Sequence, residues 1–239
     1  MTFLSGTQRI LWTVSCGAAA FALYRGVQLR LHRRYPAFIV FLTLILVQFF
    51  TLVWLSVSST TYRIAWMCFE PLVGIAIAAM AVEAWIRLSR TLSTDRHLWT
   101  LVGSGLMAVG VIASLLSSQF DHNRWDGALQ FALWSRRYLA STFAVALIAA
   151  GLVAALAGAT FTTASGRNVR LHLALTIGYL LVTSAGFIAI NAASGQTVQL
   201  ANSLMSLLFA AVFVGWGAGM RPEQDAQRKP EASPAALGV

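Results

Sequence analysis

Residues 64–87 read IAWMCFEPLVGIAIAAMAVEAWIR, an apolar stretch with two acidic side chains and no basic residue before its final arginine. About 20 such residues in a helix cross the ~30 Å hydrocarbon layer of a bilayer. Comparable stretches recur along almost the whole chain. The sequence therefore predicts an all-α integral membrane bundle of seven transmembrane helices, placed at about residues 9–28, 37–58, 64–87, 98–118, 138–159, 171–191 and 197–219.

The composition agrees with a surface that faces a lipid bilayer. Of 239 residues, 58% are hydrophobic and only 10% are charged, whereas soluble domains carry roughly 25% charged residues. We therefore assign residues 1–220 to one seven-helix transmembrane domain. Residues 221–239 mix Pro, Gln, Glu and Ala, a composition typical of disorder, and are predicted to form a disordered cytoplasmic tail.

The basic residues between the spans predict the orientation of the bundle. They account for the formal net charge of +9 through the positive-inside rule, so no nucleic-acid partner is needed. One set of connections holds Arg25, Arg30, Arg33, Arg34, Arg87, Arg90, Arg96, Arg167, Arg170, Arg221, Arg228 and Lys229. The other set holds Arg9, Arg63, Arg124, Arg136 and Arg137. Because the larger set marks the cytoplasmic side, we expect the N-terminus outside and the C-terminus inside.

Glu70 is the first candidate for a ligand or ion site. It lies about two turns into the third span and precedes Pro71, which cannot donate a backbone hydrogen bond and therefore loosens the helix. A carboxylate in hydrocarbon is costly and generally faces the bundle interior. Two interpretations remain open: Glu70 binds a ligand or ion, or it forms a structural ion pair with Arg136 or Arg137 at similar depth.

A stripe of polar side chains on the seventh span is the second candidate. Gln199, Asn202 and Ser206 follow one another at spacings of three and four, which places them on one helix face. Gln48 in the second span and Glu70 would complete a polar cavity between the second, third, sixth and seventh helices. The alternative is ordinary interhelical hydrogen bonding, which contributes ~0.6 kcal/mol per bond on average.

The sequence carries no motif for enzymatic, metal or cofactor chemistry. Glu83 lies four residues before Arg87 and is interpreted as half of a helix-surface ion pair. The four histidines stand near loops or helix ends, and no nucleophile elbow, zinc-protease or phosphate-loop motif occurs. Retinal bound as a Schiff base is excluded, because the only lysine is Lys229 in the tail. We therefore predict no catalytic residue, no metal and no cofactor.

Three short motifs point to one group of proteins. The first inner loop ends RRYPAF at residues 33–38, Tyr62 and Trp66 open the third span, and Val82-Glu83 stands near its close. These motifs resemble those of bacterial seven-helix membrane proteins, notably acidobacterial ones, for which no activity is established. The resemblance implies the seven-helix topology and a multi-pass location in the bacterial cytoplasmic (inner) membrane. It implies nothing about a substrate.

These observations lead to three hypotheses for function. The preferred one is a sensory or small-ligand-binding membrane component whose basic loops, with Arg30, Arg33, Arg34 and Arg90, face a separate cytoplasmic partner. The second is a small proton- or cation-coupled transporter that uses Glu70. The third is a structural subunit of a membrane complex. We prefer the first because the inner half of the predicted bundle is short of titratable groups.

Overall fold

The structure of the protein, a computed structural model, describes residues 6–55, 59–91, 102–105, 108, 140–152, 164–192 and 196–222. Within these ranges the chain contains helices and no strand. The helices are α1 (Gly6–Gln28), α2 (Pro36–Leu52), α3 (Thr60–Thr91), α4 (Ala140–Leu152), α5 (Ala164–Ala192) and α6 (Gln196–Gly219). A 3₁₀ turn, Leu31–Arg33, joins α1 to α2, and residues 102–105 and 108 are also helical.

Four helices, α1, α3, α5 and α6, are each long and apolar enough to cross a membrane. Helices α2 and α4 are apolar but shorter over their described residues. Within the described residues the predicted all-helical class is therefore confirmed, and four helices have the length and composition that a membrane protein needs. The predicted span at 98–118 lies almost entirely outside the described residues, and so does part of the predicted span at 138–159. The site residues Arg136 and Arg137 and the tail from residue 223 also lie outside them.

The turn between α1 and α2 follows from its residues. Arg30 adopts a left-handed conformation with φ 56°, which costs a residue with a side chain about 1 kcal/mol. Pro36 then occupies the first turn of α2, where its missing N–H is no loss and its fixed φ suits a helix. Pro71 lies instead inside α3. The helix continues through it, so the acidic residues on both sides of Pro71 belong to one element.

Within the described residues five helices form a ring, in which α1, α2, α3, α5 and α6 follow one another and α6 packs against α1. Helices α1 and α6 make the most extensive contact, and they run in parallel. Ser15 hydrogen-bonds to Ser206 near one end of this pair, and Arg25 hydrogen-bonds to Gly217 near the other. The other neighbouring pairs run antiparallel. The ring encloses a core of buried aromatic and aliphatic side chains.

Helix α4 packs against α5 in the opposite direction. The Ser141 hydroxyl donates a hydrogen bond to the Ser184 hydroxyl over 2.9 Å, and a Cβ added at Gly151 would lie 3.6 Å from Leu173. Helix α4 therefore points the same way as α1, α3 and α6. The described residues thus contain four helices of one direction and two, α2 and α5, of the other.

Close packing inside the ring depends on small residues, and the outside of the ring is apolar. A Cβ added at Gly217 would lie 2.5 Å from the ring of Phe21 and 3.3 Å from the Cα of Ala22, so a larger residue at this crossing of α1 and α6 requires Phe21 to move. Ile75 and Leu200 are among many large apolar side chains that point outward. An outward apolar surface of this kind is what lipid contact requires.

Candidate functional site

The two acidic side chains of α3 both lie inside the ring. Glu70 is 2% exposed and Glu83 is 9% exposed. They are about 20 Å apart along α3, because a helix rises 1.5 Å per residue. We call the two ends of the ring the Glu70 end and the Glu83 end. Each end contains a different polar arrangement.

The Glu70 end contains a cavity of about 260 Å³. All five helices of the ring contribute side chains to its wall. The polar part of the wall consists of Ser15, Cys16, Gln48, Glu70, Asn202 and Ser206. The aromatic part consists of Trp12, Phe49, Trp66, Tyr179, Phe209 and Phe213. Mostly apolar walls with a few converging polar groups are characteristic of small-molecule sites.

Gln48 and Glu70 are direct neighbours in this cavity. The side-chain amide of Gln48 donates a hydrogen bond to Oε1 of Glu70 over 3.3 Å. The bond joins α2 to α3, and it holds one carboxylate oxygen at the cavity wall. A buried carboxylate needs such donors because burial without hydrogen bonds is very costly. The predicted association of Gln48 with Glu70 is thus present in the structure.

Helix α6 contributes two of its three predicted site residues. Asn202 and Ser206 line the cavity, and the Ser206 hydroxyl donates to the Asn202 carbonyl oxygen over 2.9 Å. Gln199 is exposed and is not part of the lining. Helical spacing predicted that the three lie on one face of α6, and two of them line the cavity. The spacing alone does not show that the cavity lining begins at Asn202, about one turn after Gln199.

Glu83 at the other end is bound by the start of α2. Its two carboxylate oxygens accept hydrogen bonds from the backbone N–H groups of Ala37 and Phe38, each over 3.1 Å. The first N–H groups of a helix have no partner within the helix and carry partial positive charge. Tyr35, which precedes α2, supplies no side-chain cap. Glu83 is therefore the cap of α2, supplied by a different helix, and the prediction that it lies on a helix surface is wrong.

His172 of α5 lies beside this cap and is fully buried. Its Nε2 atom is 3.9 Å from Oε2 of Glu83. The ring of His172 packs against the rings of Tyr35, Phe38 and Trp216, at centroid distances of 4.8, 5.5 and 6.1 Å. We call these five residues the Glu83 centre.

Several buried polar atoms near His172 have no hydrogen-bond partner within the described part of the chain. They are both ring nitrogens of His172, the hydroxyl of Thr176 and the indole N–H of Trp216. A buried polar group left unpaired costs about 1–3 kcal/mol, and native proteins retain few of them. The Glu83 centre is therefore polar and energetically expensive, although rings surround it.

The basic loop after α1 is attached to α3 next to the Glu83 centre. The Arg87 side chain donates to the backbone oxygen of Arg34, and its guanidinium lies 5.5 Å from the centroid of the Tyr35 ring. Arg30, Arg33 and Arg90, three of the four predicted partner-facing residues, are exposed, and Arg34 is half-buried. Because Arg87 binds this loop and Glu83 binds the first turn of α2 directly after it, the position of the loop depends on the position of α3.

An aromatic layer separates the two ends of the ring. Phe41 packs against Tyr179 at 4.9 Å and against Phe213 at 6.3 Å between centroids. All three residues are buried. Along α6, Phe213 lies between Ser206 at the cavity and Trp216 at the Glu83 centre. The cavity therefore closes on this layer before it reaches the Glu83 centre.

The sequence interpretation missed His172 as a residue of the interior. His172 lies within the predicted sixth span but close to its start, where a histidine is usually an interfacial residue. Its helical spacing to Thr176 and Tyr179 was the one available signal, because all three share a helix face. Among the described residues, no group of three or more His, Cys, Asp or Glu side chains is close enough to hold a metal ion.

Comparisons with known proteins add no assignment to this geometry. No family model, no curated protein and no solved structure matches the chain. The functional argument therefore depends on the side chains of the Glu70 cavity and of the Glu83 centre.

Proposed function

We propose that the protein is a sensory or small-ligand-binding component of the bacterial cytoplasmic (inner) membrane. The observation that carries this proposal is the cavity at the Glu70 end, with Glu70, Gln48, Asn202 and Ser206 in its wall. Closure of the cavity by the aromatic layer favours binding over passage, because a ligand that enters from the Glu70 end has no polar route onward.

The coupling between ligand and partner would pass through α3. Glu70 lines the cavity, and on the same helix Arg87 binds the segment that connects α1 to α2 while Glu83 binds the first turn of α2. A shift or rotation of α3 on ligand binding would therefore change the cap of α2 and the position of the basic loop. A separate cytoplasmic partner that contacts Arg30, Arg33, Arg34 and Arg90 would detect that change.

The same proposal includes seven membrane crossings, with the N-terminus outside and the C-terminus inside. The directions of the described helices support the count. Helices α3 and α4 point the same way, which agrees with one further crossing between them. The predicted span at 98–118 supplies one return. The orientation is supported by the excess of arginines in the predicted inner loops.

A transporter is the second candidate, and the Glu83 centre favours it. The expectation that the half of the bundle around Glu83 is short of titratable groups is wrong, since Glu83 and His172 are both buried there. Glu70 and the Glu83–His172 pair lie on opposite sides of the aromatic layer. If that layer opened, the two sites would form one path through the ring. The third candidate, a structural subunit of a membrane complex, has no observation that favours it.

Two cysteines offer a matched test of ligand binding. Cys16 lines the cavity, whereas Cys68 of α3 is exposed on the outside of the ring. Cys16→Phe should occupy the cavity, and Cys68→Phe makes the same exchange elsewhere. Small-molecule binding in lipid nanodiscs, measured by thermal shift and by the fluorescence of Trp12 and Trp66, should be lost in Cys16→Phe and kept in Cys68→Phe.

The alternative functions give different results in the same material. A transporter would accumulate solute or protons in proteoliposomes, and Glu70→Gln would stop this uptake while the protein stays folded. A structural subunit would show neither binding nor uptake. Ligands that bind Cys16→Phe and wild type equally well would contradict the proposed cavity site.

A further inference from the structure

The two hydroxyl groups of the serines in the cavity wall have already donated their hydrogens. The Ser15 hydroxyl donates to the backbone oxygen of Ser206 over 2.6 Å, and the Ser206 hydroxyl donates to the backbone oxygen of Asn202 over 2.9 Å. A backbone carbonyl can only accept, so the direction of both bonds is fixed. Because a hydroxyl oxygen keeps lone pairs, both serines face a ligand as hydrogen-bond acceptors.

Two side-chain amides supply further polar atoms of the wall. Gln48 uses one N–H for Glu70 and keeps its carbonyl oxygen as an acceptor. The side-chain amide of Asn202 lines the cavity, is half-buried, and makes no hydrogen bond with any residue in the described part of the chain. An amide carries a donor and an acceptor side by side. Asn202 therefore matches a ligand group that has a donor next to an acceptor, as another amide does.

The aromatic side chains of the wall add a second preference. Trp12 of α1 packs against Phe49 of α2 with 6.5 Å between the ring centroids, and Tyr179 of α5 packs against Phe209 of α6 at 4.8 Å. All four line the cavity. Aromatic rings attract a further ring in offset or edge-to-face arrangements. A flat aromatic ligand therefore gains contacts with this wall that an aliphatic ligand of the same size does not.

The size of the cavity and the composition of its wall narrow the class further. The volume of about 260 Å³ lies just under the range of about 300–1,000 Å³ for drug-sized ligands, so the ligand is small. Most of the described lining residues are aromatic or aliphatic. Burial of a charged group against such a wall is costly unless the charge is paired. The wall therefore favours a neutral ligand.

We propose that the cavity at the Glu70 end binds a small neutral aromatic amide, with its amide group on the side chain of Asn202 and its ring among the aromatic side chains of the wall. The Glu70 carboxylate already accepts a hydrogen bond from Gln48, and recognition of this ligand does not need its charge. The inference depends on the proposed ligand-binding function and specifies its ligand class.

The test measures the binding of tritiated benzamide to the full chain in nanodiscs of zwitterionic lipid. Nanodiscs with Cys16→Phe give the background that comes from lipid. Four competitors each change one property of benzamide: N,N-dimethylbenzamide lacks the N–H donor, toluene lacks the amide, cyclohexanecarboxamide lacks the aromatic ring, and benzoate is charged. Each should bind about three- to tenfold more weakly than benzamide, or weaker still.

A pair of variants on α6 assigns the amide contact to Asn202. Asn202→Leu should weaken the binding of benzamide about three- to tenfold and leave the binding of toluene unaltered. A merely structural role of Asn202 would change the binding of both probes together. Gln199→Leu makes a similar exchange about one turn away, at an exposed residue outside the lining, and should leave both probes unaltered. If Asn202→Leu does not fold, the comparison of the competitors on wild type decides.

The outcomes separate this inference from the proposed function. If a competitor binds as tightly as benzamide at the site that Cys16→Phe blocks, or if only other classes of small molecule bind there, the ligand class is wrong and the binding function stands. If Asn202→Leu folds and binds benzamide like wild type, the inference is likewise wrong. If no small molecule distinguishes Cys16→Phe from wild type, the binding function itself fails.

Discussion

The two ends of the ring hold one carboxylate each, on the same helix, yet they treat it differently. Glu83 has a backbone N–H group on each oxygen and lies among rings. Glu70 borders a cavity and accepts a hydrogen bond from the side chain of Gln48. The difference indicates two roles. A buried carboxylate that accepts hydrogen bonds from the first N–H groups of a helix stabilises the fold, whereas a carboxylate in a cavity wall is placed to contact a ligand.

The largest expected effect tests the layer between the two ends. Phe213→Ala would remove a fully packed ring that separates the cavity from the Glu83 centre, and it should lower the free energy of unfolding by about 4 kcal/mol. Phe209→Ala, one turn nearer the Glu70 end and only half-buried, should cost about 2 kcal/mol. Unfolding in mixed detergent and SDS measures both values. Equal losses would mean that the layer is no better packed than the cavity wall.

The next effect tests the framework role of Glu83. Glu83→Ala would leave two buried N–H groups of α2 without a partner and should cost about 3 kcal/mol. Glu83→Gln keeps one good acceptor and should cost roughly half of this. The same SDS titration measures both variants. A Glu83→Ala protein as stable as wild type would contradict the assignment of Glu83 as the cap of α2.

Substitution of one glycine near each end by alanine compares how tightly the helices pack at the two ends. Gly217→Ala, near the Glu83 end, would drive a methyl group into Phe21 and Ala22 and should cost about 2 kcal/mol. Gly17→Ala is the matched control nearer the Glu70 end, where nothing lies within 4 Å of the added Cβ. It should be neutral or slightly stabilising, because alanine favours a helix more than glycine does. Thermal unfolding in nanodiscs measures the pair, and similar shifts for both would argue against tighter packing at Gly217.

The smallest expected effect belongs to the cavity. Gln48→Leu removes the hydrogen bond to Glu70 and should change the free energy of unfolding by only about 0.6 kcal/mol. It should nevertheless weaken the small-molecule binding that Cys16→Phe abolishes, because the Glu70 carboxylate at the cavity wall loses the hydrogen bond from Gln48. A large loss of stability without a change in binding would make Gln48 and Glu70 a framework pair, as Glu83 and α2 are.

Much of the fold could be predicted because hydropathy is a local property. Runs such as residues 64–87 are too apolar for water, and Pro36 suits a helix start wherever it occurs. Helical periodicity also grouped Asn202 with Ser206, and the cost of a carboxylate in hydrocarbon indicated that Glu70 faces inward. These predictions need only the spacing of residues along one helix. The seven-span count and the orientation stay predictions.

The features that could not be predicted depend on partners far away in the chain. Glu83 was interpreted through Arg87, its neighbour on the same helix, although its hydrogen-bond partners are the N–H groups of Ala37 and Phe38. Backbone N–H groups belong to every residue except proline, so no sequence motif marks them as partners. Gln199 was grouped with the cavity because periodicity says which face a residue is on and says nothing about where a cavity ends.

By itself, the amino-acid sequence indicated that this chain is helical, that several of its helices are long and apolar enough to cross a membrane, and that Glu70, Asn202 and Ser206 turn toward other helices. Apolar length and helical spacing suffice for these conclusions, since lipid leaves the backbone no other partners than its own. Only the tertiary structure decided that α1 closes the ring against α6, that Glu83 caps α2, and that rings separate the two acids. These features arise because side chains from separate helices pack together in three dimensions. The sequence pattern of a single helix does not show which distant helix it will contact.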